Sequence, residues 1–131
     1  MSLKISIITI TYNSGVTLEG TIVSVLNQTY ANVEYIIVDG KSSDNTLEIV
    51  DKYKSRIAKV VSEKDNGLYD ALNKGIDLAT GDVIGFLHSD DFYTTNTALE
   101  KYAAVFEQGN CDAVYADLYY VDKNTPDKII R

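Results

Sequence analysis

The run Lys4 to Thr11, KISIITIT, is β-branched and almost continuously apolar. Such a run is at home only as a strand buried on both faces, which in turn demands a parallel sheet covered by helices. The segments that follow agree. Leu18, Ile22, Val25 and Leu26 fall at i, i+4, i+7 and i+8, one apolar helical stripe despite Gly20 within it. Val33 to Val38 predicts a second strand, and Asp39 to Asp44 supplies turn and capping chemistry for a helix from near Asn45 that carries Leu47, Val50 and Tyr53. Ile57 to Ser62 predicts a third strand. Leu68, Leu72, Gly75, Ile76 and Ala79 then line one face of a third helix, with Gly81 placed to stop it. Val83 to Leu87 is a fourth strand, and a fourth helix with Leu99, Tyr102, Ala103 and Phe106 on one side ends at Gly109 before a fifth strand, Ala113 to Tyr120. The order βαβαβαβαβ implies a Rossmann-like α/β fold, a mainly parallel sheet with helices on both faces and right-handed crossovers. Pro126 lies in the polar stretch 122–127, so residues 122–131 are expected to form a loose tail, and Met1-Ser2-Leu3 is set aside as an added leader.

Composition narrows the function classes. A chain of 131 residues with no low-complexity tract fits a single domain, 1–131. A net charge of -7 argues against a surface built for nucleic-acid phosphates or an anionic bilayer, since no basic patch is present. Cys111 is the sole cysteine, which rules out an internal disulfide or a Cys-rich zinc site and suits a reducing, cytoplasmic setting. No apolar run approaches bilayer length, so no transmembrane segment is expected in this chain.

The acids have a pattern. Asp39 ends the second strand, Glu63 and Asp65 follow the third, Asp90 and Asp91 follow the fourth, and Asp117 lies late in the fifth. In an open parallel sheet those carboxyl ends share one rim, where ligands bind. Asp44 reads as a helix cap. The adjacent pair Asp90-Asp91 gains little from capping and repels itself, whereas a hard divalent cation bridging it to a diphosphate would resolve the charge conflict. Asp117 is open between loop structure and pocket floor.

Four segments give these positions a family likeness: Ile8-Thr9-Ile10-Thr11-Tyr12-Asn13; Val38-Asp39-Gly40-Lys41-Ser42-Ser43-Asp44-Asn45-Thr46; Glu63 to Gly75; and Phe86-Leu87-His88-Ser89-Asp90-Asp91. In this order and on these loops the sequence resembles inverting family 2 glycosyltransferases of the GT-A fold, especially bacterial enzymes of surface-polysaccharide assembly. The resemblance runs from about Lys4 to Asp122, the nucleotide-binding half. It implies a nucleoside diphosphate sugar donor, most often a uridine one, a saccharide or lipid-linked acceptor, and Mn2+ or Mg2+ as cofactor. Thr11, Tyr12 and Asn13 correspond to the loop that holds the base, and Asp39 to the carboxylate that contacts base or ribose. Asp65 and Asn73 correspond to further nucleotide contacts, although Asn73 also reads as a surface helical residue. Asp90 falls near the ribose and Asp91 at the metal ligand. The resemblance further implies a general base beyond Arg131, hence donor binding without turnover at a normal rate, and a peripheral position at the inner membrane face for the full-length protein.

Two departures stand out. Ala71-Leu72-Asn73 replaces a common Ala-Arg-Asn, which removes an arginine that could hold the nucleotide, and His88 stands where Asn is common. The lone histidine reads as a hydrogen-bonded structural residue and stays outside the site. Asp70 reads as a cap or solvating residue of the third helix. Two other readings remain: a non-catalytic nucleotide-sugar-binding domain, and a phosphorylation-controlled receiver module. The receiver needs an acidic pair after the first strand, where this chain has Thr11-Tyr12-Asn13.

Overall fold

A computed structural model describes residues 3–107. It contains β1 (Ile5–Thr11), α1 (Leu18–Leu26), β2 (Val33–Asp39), α2 (Thr46–Lys52), a 3-10 turn (Lys54–Arg56), β3 (Lys59–Ser62), α3 (Leu68–Leu78), β4 (Val83–Phe86) and α4 (Ala98–Glu107). The fifth strand, the end at Gly109, Asp117 and the tail lie outside the described residues.

All pairings are parallel and the strand order is β3-β2-β1-β4. The register runs Ile5 to Val33 through Thr11 to Asp39 on one side of β1, and Ile5 to Val83 through Ile8 to Phe86 on the other. Because side chains alternate across a strand, Ile5, Ile7, Tyr35, Ile37 and Val83 meet α1, α2 and α4 on one face. Ile8, Ile36, Val38, Ile84 and Phe86 pack with Ala71, Leu78 and Ala79 of the α3 region on the other. The parallel, two-sided sheet predicted from the sequence is thus present.

Three local expectations need correction. The sheet-facing side of α3 is Ala71 and Gly75, while Leu68 and Ile76 are exposed. The reason is close approach: a Cβ on Gly75 would come within 2.6 Å of Ile8 Cγ2, so the helix seats on its smallest residues rather than on its leucines. Gly81 is not the stop of α3, which ends at Leu78 with Ala79 extended. It instead lets the chain pass β1, since a Cβ there would lie 2.5 Å from Ser6 Oγ and 2.9 Å from the Lys4 carbonyl. Strand β3 starts at Lys59 rather than Ile57, since its pairing with β2 begins at Lys59 opposite Ile36. Leu3, set aside as leader, packs against the larger core and its carbonyl accepts the Tyr30 hydroxyl.

At the amino-terminal edge of the sheet, Glu34 is buried inside the apolar run of β2. It accepts hydrogen bonds from Ser6 Oγ (2.7 Å), Thr80 N–H (2.8 Å) and Thr80 Oγ1 (2.9 Å), and pairs with Lys59 Nζ at 3.2 Å and Lys4 Nζ at 3.7 Å. Burial pushes its carboxyl up, but the bonds from Thr80, Ser6 and Lys59 outweigh that and hold it at about 2.

Candidate functional site

In the order β3-β2-β1-β4 the sense in which strands are added reverses between β1 and β4, and the crevice outside the carboxyl ends of those two parallel strands is where an open parallel sheet binds ligands. Three loops border it: residues 12–17 after β1, 40–45 after β2, and 87–97 after β4.

The first loop organises the other two. Asn13 takes a left-handed backbone, φ 48°, which asparagine tolerates better than most residues. That turn aims its side-chain Oδ1 at the Ser43 N–H (2.8 Å) and Asp44 N–H (3.3 Å), while its own N–H donates to Ser42 Oγ (2.8 Å). Ser42 Oγ in turn donates to Asp39 Oδ1 at 2.5 Å. Asp39 Oδ2 accepts from Ser42 N–H (2.9 Å) and from Ser62 Oγ (2.8 Å) on the neighbouring strand. Asp39 is fully buried, a carboxylate with three internal donors. Next along the loop, Ser14 N–H donates to Thr46 Oγ1 (2.8 Å), and Ser14 Oγ bonds Ser89 Oγ at 2.8 Å across the crevice. Hydrogen bonds therefore run from Asp39 through residues 13 and 14 to the loop of Asp90 and Asp91.

Asp44 behaves as expected of a structural acid. Its carboxylate accepts from Thr46 Oγ1, Thr46 N–H (2.9 Å) and Gly15 N–H (3.1 Å), so it orders the start of α2, where Asn45 makes no side-chain cap bond. The Thr46 hydroxyl, then burial working the other way, leaves its carboxyl below the usual range. Asp70 likewise reaches back to the Asn66 N–H (2.9 Å) ahead of α3, and that bond lowers its pKa.

Tyr12 is 63% exposed and lies over Gly40. A Cβ on Gly40 would sit 3.0 Å from Asp65 Oδ2 and 3.3 Å from Tyr12 Cδ1, so glycine keeps open a cleft between aromatic ring and carboxylate. Asp65 Oδ1 accepts the Gly67 N–H at 3.2 Å, where Gly67 (φ 111°) opens α3. Thr11 is buried at the end of β1, and its hydroxyl has no hydrogen-bond partner among the described residues. Thr11, Tyr12, Asn13, Asp39 and Asp65 are thus neighbours on the rim. Asn73 is different: it lies on the exposed side of α3, about 200° around the helix from both Ala71 and Gly75.

On the β4 side, Asp91 N–H closes a turn onto the His88 carbonyl (3.0 Å), with Asp90 exposed and Asp91 half-buried. Among the described residues no three His, Cys, Asp or Glu side chains converge as a protein-only metal cage. An adjacent carboxylate pair at the rim of the crevice has the chemistry that suits Mg2+ or Mn2+, which take one or two carboxylates and complete their shell with other oxygens.

The sequence reading missed the residues that hold this loop. Thr17, Thr21, Ser24 and Gln28 sit at i, i+4, i+7 and i+11, one position before the apolar stripe of α1, and all four bond the segment 89–99. Their helical spacing was the available signal.

Residues 6–130 match the family model of Glycosyl transferase family 2. Among curated relatives, the chain is 35% identical over 122 residues to the Escherichia coli UDP-Glc:alpha-D-GlcNAc-diphosphoundecaprenol beta-1,3-glucosyltransferase WfgD, covering 92% of this chain and 48% of that protein. Among solved structures it is similar to S. aureus TarS 1-349 in complex with UDP-GlcNAc, with 29% identity and a TM-score of 0.75 over 81% of this chain and 32% of that one. It is also similar to the mannosyltransferase PcManGT from Pyrobaculum calidifontis in complex with GDP-Man and Mn2+, with 25% identity and a TM-score of 0.71 over 80% of this chain and 32% of that one. The chain spans about half the length of the curated relatives it matches.

Proposed function

This chain belongs to glycosyl transferase family 2 and has the GT-A fold, and from that premise we propose that it forms the donor-binding part of an enzyme that moves a sugar from a nucleoside diphosphate, UDP first, onto a saccharide or lipid-linked acceptor with inversion. The observation that carries this reading is the hydrogen-bonded connection of the Asp39 loop to the Asp90-Asp91 loop across the β1/β4 crevice. It joins residues distant in sequence, Asp39 and Asp90, into one rim, with the Tyr12–Gly40–Asp65 cleft at one end and paired carboxylates at the other. The relatives that act on UDP-Glc or were solved with UDP-GlcNAc support the uridine donor, and the Mn2+ in PcManGT supports a divalent ion.

In this assignment the exposed Tyr12 ring stacks on the base over Gly40, with Thr11 and Asn13 shaping the loop beneath. Ser42 and Ser62 occupy three of the roughly four lone-pair directions of Asp39. The fourth suits a base N–H or ribose hydroxyl, reached when the Gly40 loop opens. Asp65 closes the cleft, Asp90 faces the ribose side, and Asp91 would hold the cation. A bound Mn2+ or Mg2+ supplies Lewis-acid neutralisation of the leaving diphosphate. Asn73 serves from the outer face of α3 only if a segment outside the described residues folds over it. We assign the proton-accepting carboxylate of the acceptor side to residues outside 1–131. A role in polysaccharide assembly at the cytoplasmic membrane face completes the proposal. No helix among the described residues is long and apolar enough to cross a membrane.

Calorimetry tests it directly. The chain is expected to bind UDP more tightly with Mn2+ than in EDTA, and absence of binding under both conditions would refute the donor-site reading. Turnover of the native full-length protein with UDP-sugar and acceptor separates an enzyme from a nucleotide-sugar sensor.

A further inference from the structure

We propose that the polar stripe of α1, Thr21 above all, positions the Asp90-Asp91 pair by holding the main chain of its loop. The role rests on the donor-site reading above.

Helix α1 has two faces side by side. Leu18, Ile22 and Val25 enter the core, while Thr17, Thr21, Ser24 and Gln28 precede or follow them in a parallel row about 100° around. Each member of that row meets the connection from β4 to α4. Thr17 Oγ1 donates to the Ser89 carbonyl (2.9 Å). Thr21 Oγ1 lies 2.5 Å from the Asp91 carbonyl and 3.0 Å from that of Ser89. Ser24 Oγ accepts the Tyr93 N–H at 3.1 Å and donates to the Thr21 carbonyl at 2.8 Å. Gln28 uses both ends of its amide, donating to the Thr95 carbonyl (2.8 Å) and accepting the Leu99 N–H (3.1 Å). Contacts therefore recur at residues 89, 91, 93, 95 and 99, in step with the turns of the helix.

A hydroxyl has one proton, and two carbonyls compete for that of Thr21. Ser89 has Thr17 as a second donor, so the Thr21 proton belongs to Asp91. Thr21 is 1% exposed, which leaves no water to replace it. The side chain of Asp91 departs from the same Cα as the held carbonyl, so this bond fixes the point and the Cα–Cβ direction from which its carboxylate starts. Preorganisation of that kind matters for a cation because ligand oxygens displaced by fractions of an ångström weaken a shell that demands fixed geometry. The stripe touches neither nucleotide nor metal; these are positioning residues.

The test compares wild type, Thr21→Val and Thr21→Ser by calorimetry with UDP, in Mn2+ and in EDTA, with amide hydrogen exchange read on residues 89–95 and 40–46. Thr21→Val keeps shape and removes the proton. It is expected to lose about tenfold in Mn2+-dependent UDP affinity, the size of one buried hydrogen bond, while affinity in EDTA stays within twofold. Exchange should speed in 89–95 and not in 40–46, and Thr21→Ser should restore both. A general loss of fold would move both affinities and both loops together, which contradicts the proposal. Normal Mn2+-dependent binding by Thr21→Val would overturn the positioning role alone and leave the donor site standing. Failure of wild type to bind UDP at all would overturn the donor site and this role with it.

Discussion

The two edges of the sheet treat carboxylates in opposite ways. At the amino-terminal edge Glu34 is buried, bonded by Ser6 and Thr80, and flanked by Lys4 and Lys59, so its charge is answered inside the fold. At the carboxyl-terminal edge, Asp39 is answered by the Ser42 and Ser62 donors and Asp65 by the Gly67 N–H, while Asp90 and Asp91 stand on a loop whose main chain is held by α1. Removing one partner from a buried, paired acid is strongly destabilising, so the fold depends on Glu34 staying in place. Where it collects acids at the rim of a crevice between strand ends, a divalent cation that shares its shell with ligand oxygens is the fitting partner.

The largest effect should come from breaking the stability side. Glu34→Ala leaves the Thr80 N–H and the Lys59 ammonium without their acceptor and should cost about 3 kcal/mol, enough to lower Tm by roughly 10 °C. UDP affinity of the folded fraction should not change. The same group gives a pH signature. Its folded pKa of about 2 lies below the ordinary 4.5, so its contribution is full above about 4.5 and is lost as pH falls toward 2. At about 1.36 kcal/mol per pH unit the loss is on the order of 3 kcal/mol. Chemical denaturation from pH 6 to pH 2 should show it in wild type and a flattened acid limb in Glu34→Gln. Equal acid sensitivity in both would mean that other carboxyls carry the acid limb.

Next in size is the functional edge. Asp91→Asn should lose about a hundredfold in Mn2+-dependent UDP affinity, close to 2.7 kcal/mol, with stability within about 0.5 kcal/mol of wild type. A variant that instead melts early and binds normally would place Asp91 with Glu34 as a structural acid and erase the contrast between the edges.

How legible was this contrast in sequence? Parallel order and the rim position of Asp39, Asp65, Asp90 and Asp91 followed from strand ends alone, because a parallel sheet puts every carboxyl terminus on one side. Glu34 was invisible for a physical reason: it sits within VEYIIV, and its partners Ser6, Lys59 and Thr80 come from three other segments, so nothing local marks a satisfied charge. The face of α3 was only partly read: Gly75 was placed on it, but hydropathy brought in the exposed Leu68 and Ile76 and passed over Ala71, whereas close approach to Ile8 selects the small residues. The stripe on α1 was readable by period, but threonine and serine at helical spacing look like a solvated face until the loop that covers them is known. Asp39 was placed correctly on the rim, yet its burial under Ser42 and Ser62 depends on a turn that Asn13, left-handed and on a different loop, holds in place.

The smallest effect probes the other end of the functional rim. Tyr12→Ala should lower UDP affinity in EDTA by about tenfold, the usual scale for losing one base-stacking aromatic. Gly40→Ala is gentler. Its Cβ would come 3.0 Å from Asp65 Oδ2 and 3.3 Å from Tyr12 Cδ1, closer than ordinary van der Waals contact, but both atoms belong to movable side chains rather than to backbone. Gly40 does not have positive φ, so alanine adds no backbone strain. The fold should therefore tolerate it within about 0.5 kcal/mol, while the cleft between ring and carboxylate narrows by a few tenths of an ångström. A stacked base feels that narrowing, so UDP affinity in EDTA should fall about threefold to fivefold, with the Mn2+ increment retained because the Asp90-Asp91 loop is untouched. Loss of the Mn2+ increment in Gly40→Ala would show that the two ends of the rim are coupled through Asn13 and Ser14. Unchanged affinity in both Gly40→Ala and Tyr12→Ala would move the base away from Tyr12 altogether.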